Sequence, residues 1–168
     1  LWGKNKGSLE GHVGDILCVA WSPDGKLLAS TTNAGEIKVW DVAAKRALAT
    51  QRPGRLLMSV AWSPDGKTIV TADTGHEVKI WRASDLDCQK TISGHDAAAE
   101  WAEFSPDGRF LVSVDEAGQM KVWEPGTWRE IRSMGAHRDS IEQCGFSANG
   151  QFLVTCSTDA KLRLWSDK

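Results

Sequence analysis

The stretch Trp21-Ser22-Pro23-Asp24-Gly25-Lys26 reads as a tight turn leaving one strand and entering the next. Proline presets φ at the second turn position, and glycine accepts the positive φ that other residues resist. The same pattern returns as Trp62-Ser63-Pro64-Asp65-Gly66 and Phe104-Ser105-Pro106-Asp107-Gly108, and in altered form as Phe146-Ser147-Ala148-Asn149-Gly150. These turns are spaced by 41, 42 and 42 residues. A second series, Trp40, Trp81, Trp123 and Trp165, keeps the same spacing. Two series in phase over four copies identify an internal repeat. The aromatic composition agrees, since nine Trp, four Phe and no Tyr is the skew that copying one motif produces.

Working outward from each turn, the spacing predicts four strands per unit. The first runs into the turn, as in Ile16–Trp21 and Leu57–Trp62. The second leaves it at Lys26–Thr31, Thr68–Thr71, Phe110–Ser113 and Phe152–Cys156. The third ends on the repeated Trp: Glu36–Trp40, Glu77–Trp81, Gln119–Trp123 and Lys161–Trp165. Ile37 and Val39 alternate with Lys38 there, and Leu162 and Leu164 with Arg163, the period of a strand buried on one face. A looser fourth strand is expected at Ala47–Thr50, Cys88–Ile92 and Arg129–Arg132. The 3.6-residue recurrence of an amphipathic helix is absent. A unit of this size has two apolar faces and buries them by stacking on its neighbours. The fold class is all-β, with about four radially stacked sheets.

Composition narrows the function classes. The 168 residues are 41% hydrophobic and 25% charged, as in a globular domain rather than a disordered tail. Twenty basic and 22 acidic side chains give a net charge of −2, so no basic nucleic-acid footprint stands out. No apolar run reaches the ~18 residues of a membrane span. Cys18, Cys88, Cys144 and Cys156 lack CxxC spacing and read as reduced thiols, with Cys18 and Cys144 inside apolar strands. That points to an intracellular setting, cytoplasmic or nuclear.

The units resemble WD40 repeats of a β-propeller. The family places Gly-His before the first strand and Trp-Asp at the end of the third. Gly11-His12 and Gly94-His95 match the first element, Ala136-His137 keeps the His, and Arg52-Pro53 loses it. Only Trp40-Asp41 completes the second element; the others read Trp81-Arg82, Trp123-Glu124 and Trp165-Ser166. The resemblance covers nearly the whole chain and divides it into repeats at about 11–51, 52–93, 94–135 and 136–168, with 1–10 as a closing outer strand.

The resemblance also implies a hydrogen-bonded tetrad of His, Ser/Thr, Asp and Trp in each blade. His137, Thr155, Asp159 and Trp165 supply all four in the last repeat. The first keeps His12, Ser30 and Trp40 with Ala34 at the Asp position; the third keeps His95, Ser113 and Trp123 with Ala117. The second keeps Thr71 and Trp81, with Pro53 and Gly75 in the other places. Three tetrads are therefore expected to be incomplete, with Asp73 and Asp115, two residues before the vacant position, as candidate substitutes. Because the Ser/Thr-His-Asp elements echo from repeat to repeat, they read as structural rather than as a nucleophile site. No catalytic residue, cofactor or metal site is expected.

The family implies a rigid, non-catalytic platform for peptides or proteins, with one end of the ring as contact surface. Matched positions there are Asp15, Leu17, Leu56, Met58, Glu100, Ser140 and Glu142, joined by Asn33, Thr74, Glu116 and Thr158. The runner-up functions are a regulatory propeller segment of a larger, enzyme-bearing protein and a nucleic-acid-binding propeller, which would need a basic stripe. Propellers of this family are commonly seven- or eight-bladed, so three closures compete: a slice of a longer chain, a homodimer forming eight blades, or a closed four-blade ring. Gly7–Glu10 is the candidate outer strand for the last unit, and Leu1-Trp2 resembles the tail of a preceding third strand.

Overall fold

A computed structural model describes residues 3–166; Leu1-Trp2 lies outside them. Among the described residues, fifteen strands form four antiparallel sheets. Blade 1 holds β1 (Ile16–Trp21), β2 (Leu27–Thr32), β3 (Ile37–Asp41) and β4 (Arg46–Gln51). Blade 2 holds β5 (Leu57–Trp62), β6 (Thr68–Asp73), β7 (Glu77–Arg82) and β8 (Cys88–Ser93). Blade 3 holds β9 (Ala99–Phe104), β10 (Leu111–Asp115), β11 (Gln119–Glu124) and β12 (Arg129–Gly135). Blade 4 holds β13 (Ile141–Phe146), β14 (Leu153–Ser157) and β15 (Lys161–Trp165). Each is a meander in chain order, because tight turns join strands that can pair only with the next in line.

The Ser-Pro-Asp-Gly turns close as the residues dictate. Gly25 N–H donates to Ser22 O at 2.9 Å with φ of 70°, and Ser22 Oγ accepts from Leu27 N–H while donating to Asp24. Blades 2 and 3 repeat this geometry, and in blade 4 Asn149 takes the Asp place and accepts from Ser147 Oγ.

The core lies in three seams between blades rather than inside any one sheet. Ile37 and Val39 of blade 1 pack with Leu57, Val60 and Trp62 of blade 2. Val78 and Ile80 of blade 2 pack with Ala99, Ala102 and Phe104 of blade 3. Val112 and Met120 of blade 3 pack with Ile141 and Cys144 of blade 4. Burial pushes the Cys18 and Cys144 thiols up from their ordinary value, which keeps both un-ionised and core-like. All four cysteines are free.

One expectation is corrected. Gly7–Glu10 forms no strand, and the fourth sheet is three-stranded among the described residues. Within the segment, Gly7 N–H donates to Asn5 Oδ1 and Ser8 Oγ donates to Glu10. No helix of the described residues is long and apolar enough to cross a membrane.

Candidate functional site

Two systems emerge from the repeat: a polar chain through the blades and a rim at one end of them.

In blade 4, His137 Nδ1 lies 3.0 Å from Asp159 Oδ1 and Nε2 lies 2.7 Å from Thr155 Oγ1, while the Trp165 indole N–H donates to the same hydroxyl at 3.0 Å. An ionised Asp159 fixes the Nδ1–H tautomer, so Nε2 accepts from the threonine hydroxyl. Burial opposes ionisation of Asp159, but hydrogen bonds from His137 and the Arg138 N–H outweigh it and hold the carboxyl below its usual range.

Blades 1 and 3 correct the expectation of incomplete chains. In blade 3 the carboxylate comes from Asp115, at the end of β10. Its Oδ2 lies 2.8 Å from His95 Nδ1, and its Oδ1 accepts from the N–H groups of Ala117 and Gln119. His95 Nε2 and the Trp123 indole meet at Ser113 Oγ, at 2.7 and 2.8 Å. In blade 1 the carboxylate is Glu36, entering β3, whose extra methylene lets it reach back. Its Oε2 lies 2.6 Å from His12 Nδ1, and its Oε1 accepts two bonds from Arg52 at 2.8 and 2.9 Å. His12 and Trp40 then meet at Ser30 Oγ, at 2.5 and 2.7 Å. Burial would raise the Glu36 carboxyl, yet hydrogen bonds from Arg52, His12 and the Val13 N–H, with the Lys38 charge, hold it down to about 2.

Blade 2 differs because Pro53 replaces the histidine. Trp81 still donates to Thr71 Oγ1 at 3.0 Å. Asp73, equivalent to Asp115, instead accepts from Lys79 Nζ at 2.9 Å and caps the turn through the Gly75 N–H at 2.8 Å. Asp115 therefore substitutes in a histidine chain, and Asp73 does not.

The rim is tied together by one backbone bond per blade. The N–H groups of Asn33, Thr74, Glu116 and Thr158 donate to the carbonyls of Asp15, Leu56, Ala98 and Ser140, at 3.0, 3.2, 3.0 and 3.0 Å. Asn33 Oδ1 also accepts from the Asp15 N–H, and Asn33 Nδ2 donates to Asp15 Oδ2, both at 2.9 Å. Leu17, Met58, Glu100 and Glu142 occupy equivalent positions on the four first strands. Leu17 and Glu142 are exposed, Leu56, Met58 and Ser140 are half-buried, and Thr74, Glu116 and Thr158 are exposed.

Glu100 stands apart. It is 7% exposed and makes no ion pair with a described residue. Burial, the charges of Glu116 and Glu142 and a hydrogen bond with Glu116 push its carboxyl up to about 7. Its position was legible in the sequence, but its burial was not, because an inner-strand Glu beside an acidic loop reads equally as a solvated face. A groove of about 420 Å³ follows the first strands of all four blades, touching Val19, Val60, Trp101 and Cys144. Among the described residues no group of three His, Cys, Asp or Glu side chains is arranged to hold a metal ion.

Comparison with known proteins agrees with this architecture. The chain matches the family model described as WD domain, G-beta repeat, over residues 3–41, 50–82, 86–124 and 128–166. It is similar to a crystal structure of RRP9 WD40 repeats, with a TM-score of 0.86 and 24% identity. The match covers 94% of this chain and 49% of that one, so the chain spans about half the length of the structure it resembles. No curated protein matches it in sequence.

Proposed function

Since the chain belongs to the WD40-repeat family of β-propellers, we propose that it is a non-catalytic platform whose rim takes a protein segment with an apolar anchor beside Lys or Arg. The observation that carries this reading is Glu100. A carboxyl that is 7% exposed, without a cation among the described residues, and pushed up to about 7 by burial and two further carboxylates is poorly satisfied in the free protein. A basic side chain docking beside it supplies the missing charge and shifts the carboxyl back to its ionised form. Met58, at the equivalent position of the neighbouring blade, and Leu56 are half-buried apolar groups that gain by leaving water under a bound segment.

The test is binding to an array of peptides that pair an apolar residue with Lys or Arg. Three proteins are compared: the natural chain, a Leu56→Ala/Met58→Ala double variant and a Glu100→Gln/Glu116→Gln/Glu142→Gln triple variant. The apolar variant should dissociate faster. The Gln variant should associate more slowly and lose most of its salt dependence. The same bound peptides with the same salt dependence in all three proteins would place the contact surface elsewhere.

A further inference from the structure

Blade 2 carries Gly75 where the other blades carry Ala34, Ala117 and Asp159, and the missing side chain makes room for another. A Cβ built on Gly75 would lie 2.4 Å from Arg55 Cδ, 2.6 Å from Nε and 2.8 Å from Cζ. The arm of Arg55 therefore runs across Gly75, through a place that any larger residue would close. Its backbone is pinned from the other side. A Cβ on Gly35 of blade 1 would meet Arg55 O at 2.4 Å and Arg55 N at 2.9 Å, and Gly35 holds a φ of 73°. Two glycines of neighbouring blades thus seat one exposed arginine at the rim, beside Leu56.

The guanidinium so placed is uncommitted. The Arg55 side chain makes no hydrogen bond or ion pair with a described residue. Arg52, three residues earlier, is held by Glu36 through two hydrogen bonds. The side chains of Arg46, Arg132 and Arg138 also lack such a partner among the described residues. Arg46 and Arg132 lie on the outer strands β4 and β12, however, and Arg138 stands one residue further from its inner strand than Arg55 does. Around the rim the order is then Arg55, the apolar pair Leu56 and Met58 of blade 2, Glu100 and Glu116 of blade 3, and Glu142 of blade 4. A positive group, an apolar patch and a negative group follow one another from the seam of blades 1 and 2 toward blade 4.

We propose that Arg55 binds an Asp or Glu carboxylate of the docked segment, on the side of the apolar anchor away from the Lys or Arg that meets Glu100. This rests on the rim proposed for Glu100 and adds to it a third contact and an order: acid, apolar, base. A seated guanidinium offers a carboxylate paired N–H donors, and the fold has already met part of the cost of ordering its arm. One positive group matches one negative charge. A phosphate, with nearly two, calls for more than one cation, and Arg52 is held by Glu36. The order also discriminates. A segment laid across the rim in reverse would set its acid against Glu100 and Glu116 and its base against Arg55.

The experiment takes array peptides that pair an apolar residue with Lys or Arg and varies the residue on the far side of the anchor: Glu, Gln, Lys or phosphoserine. Affinities are measured for the natural chain, Arg55→Gln, Arg55→Glu and Gly75→Ala, with circular dichroism as a check that each keeps its strands. The natural chain should prefer Glu to Gln about 5-fold, the scale of an exposed ion pair. Arg55→Gln should lose that preference, and Arg55→Glu should reverse it in favour of Lys. Gly75→Ala keeps the arginine but displaces its arm, so the preference should weaken. All four proteins should still require the Lys or Arg beside the anchor, because Glu100 is untouched. A natural chain indifferent to the far residue, or a preference for Glu that survives in both Arg55 variants, overturns the role of Arg55 and leaves the Glu100 rim standing. Tighter binding of phosphoserine than of Glu, lost in Arg55→Gln, makes phosphate the ligand and overturns the carboxylate. Failure of every such peptide to bind the natural chain, or a Glu100→Gln/Glu116→Gln/Glu142→Gln variant that keeps its demand for Lys or Arg, removes the rim and this inference together.

Discussion

Glu36 and Glu100 are both buried glutamates, 1% and 7% exposed, and they sit at opposite ends of the scale of satisfaction. Glu36 accepts from His12, Arg52 and a backbone N–H with Lys38 beside it, and burial is overridden until its carboxyl falls to about 2. Among the described residues Glu100 faces the charges of Glu116 and Glu142 alone, and burial prevails until its carboxyl rises to about 7. Burial alone does not fix the charge of a carboxyl; the number and sign of its partners do. The pair separates roles as well. Glu36 completes the interior of blade 1, and Glu100 is left for something outside the chain to complete.

The largest expected effect breaks the satisfied member. Glu36→Ala strands His12 and Lys38 in buried positions and frees Arg52, so it should destabilise the protein by about 3 kcal/mol in chemical denaturation. The acid limb tests the sign. A depressed carboxyl contributes stability that is complete above its unfolded value near 4.5 and is lost as pH falls toward about 2. The natural chain should lose stability over that window, and Glu36→Ala should lose correspondingly less. Equal acid slopes in the two proteins would show that Glu36 is no better satisfied than Glu100.

A smaller effect extends the comparison to blade 4. Asp159→Ala leaves the buried His137 Nδ1–H unpaired, which costs about 2 kcal/mol. Arg163, within 4.0 Å of Asp159, is only a distant partner and does not add much. Asp41 is the control: its side chain accepts from the Ala44 N–H in an exposed turn, and Asp41→Ala should change stability by less than about 0.5 kcal/mol. Indistinguishable unfolding free energies for the two variants would remove the distinction between chain and surface carboxylates.

Strand positions were legible because periodic apolar residues and Ser-Pro-Asp-Gly turns leave little choice. Predicted Ile16–Trp21 and Lys161–Trp165 coincide with β1 and β15. The source of each carboxylate was not legible. Three blades aim a carboxylate at His Nδ1, but Glu36, Asp115 and Asp159 start from three different positions of the repeat. Side-chain length and turn shape make up the difference, and positional matching cannot see them. Pro53 was readable as a lost histidine, yet the transfer of Asp73 to Lys79 depends on two adjacent strands meeting in space. The apolar content of the last third strand was readable too. That Leu162 and Leu164 stand open while Val78 and Ile80 are covered is a property of the assembled arc.

One expected stability change carries the opposite sign. Glu100→Gln removes a carboxyl that is hard to ionise where it sits, and an amide can still hydrogen-bond Glu116. A carboxyl whose folded value is raised gives its full stability below its unfolded value near 4.5 and loses it as pH rises through about 7. At pH 8 the natural chain therefore holds a strained carboxylate, and Glu100→Gln should be more stable by about 1 kcal/mol, allowing for solvent screening at the rim. At pH 4 the two should unfold together. Binding of a basic peptide should run the other way, strengthening in the natural chain as pH rises through 7 and staying flat in Glu100→Gln. A variant that gains stability at high pH while losing the pH response of binding marks Glu100 as kept for a partner. A variant that loses stability at every pH makes Glu100 a second Glu36, satisfied within the fold.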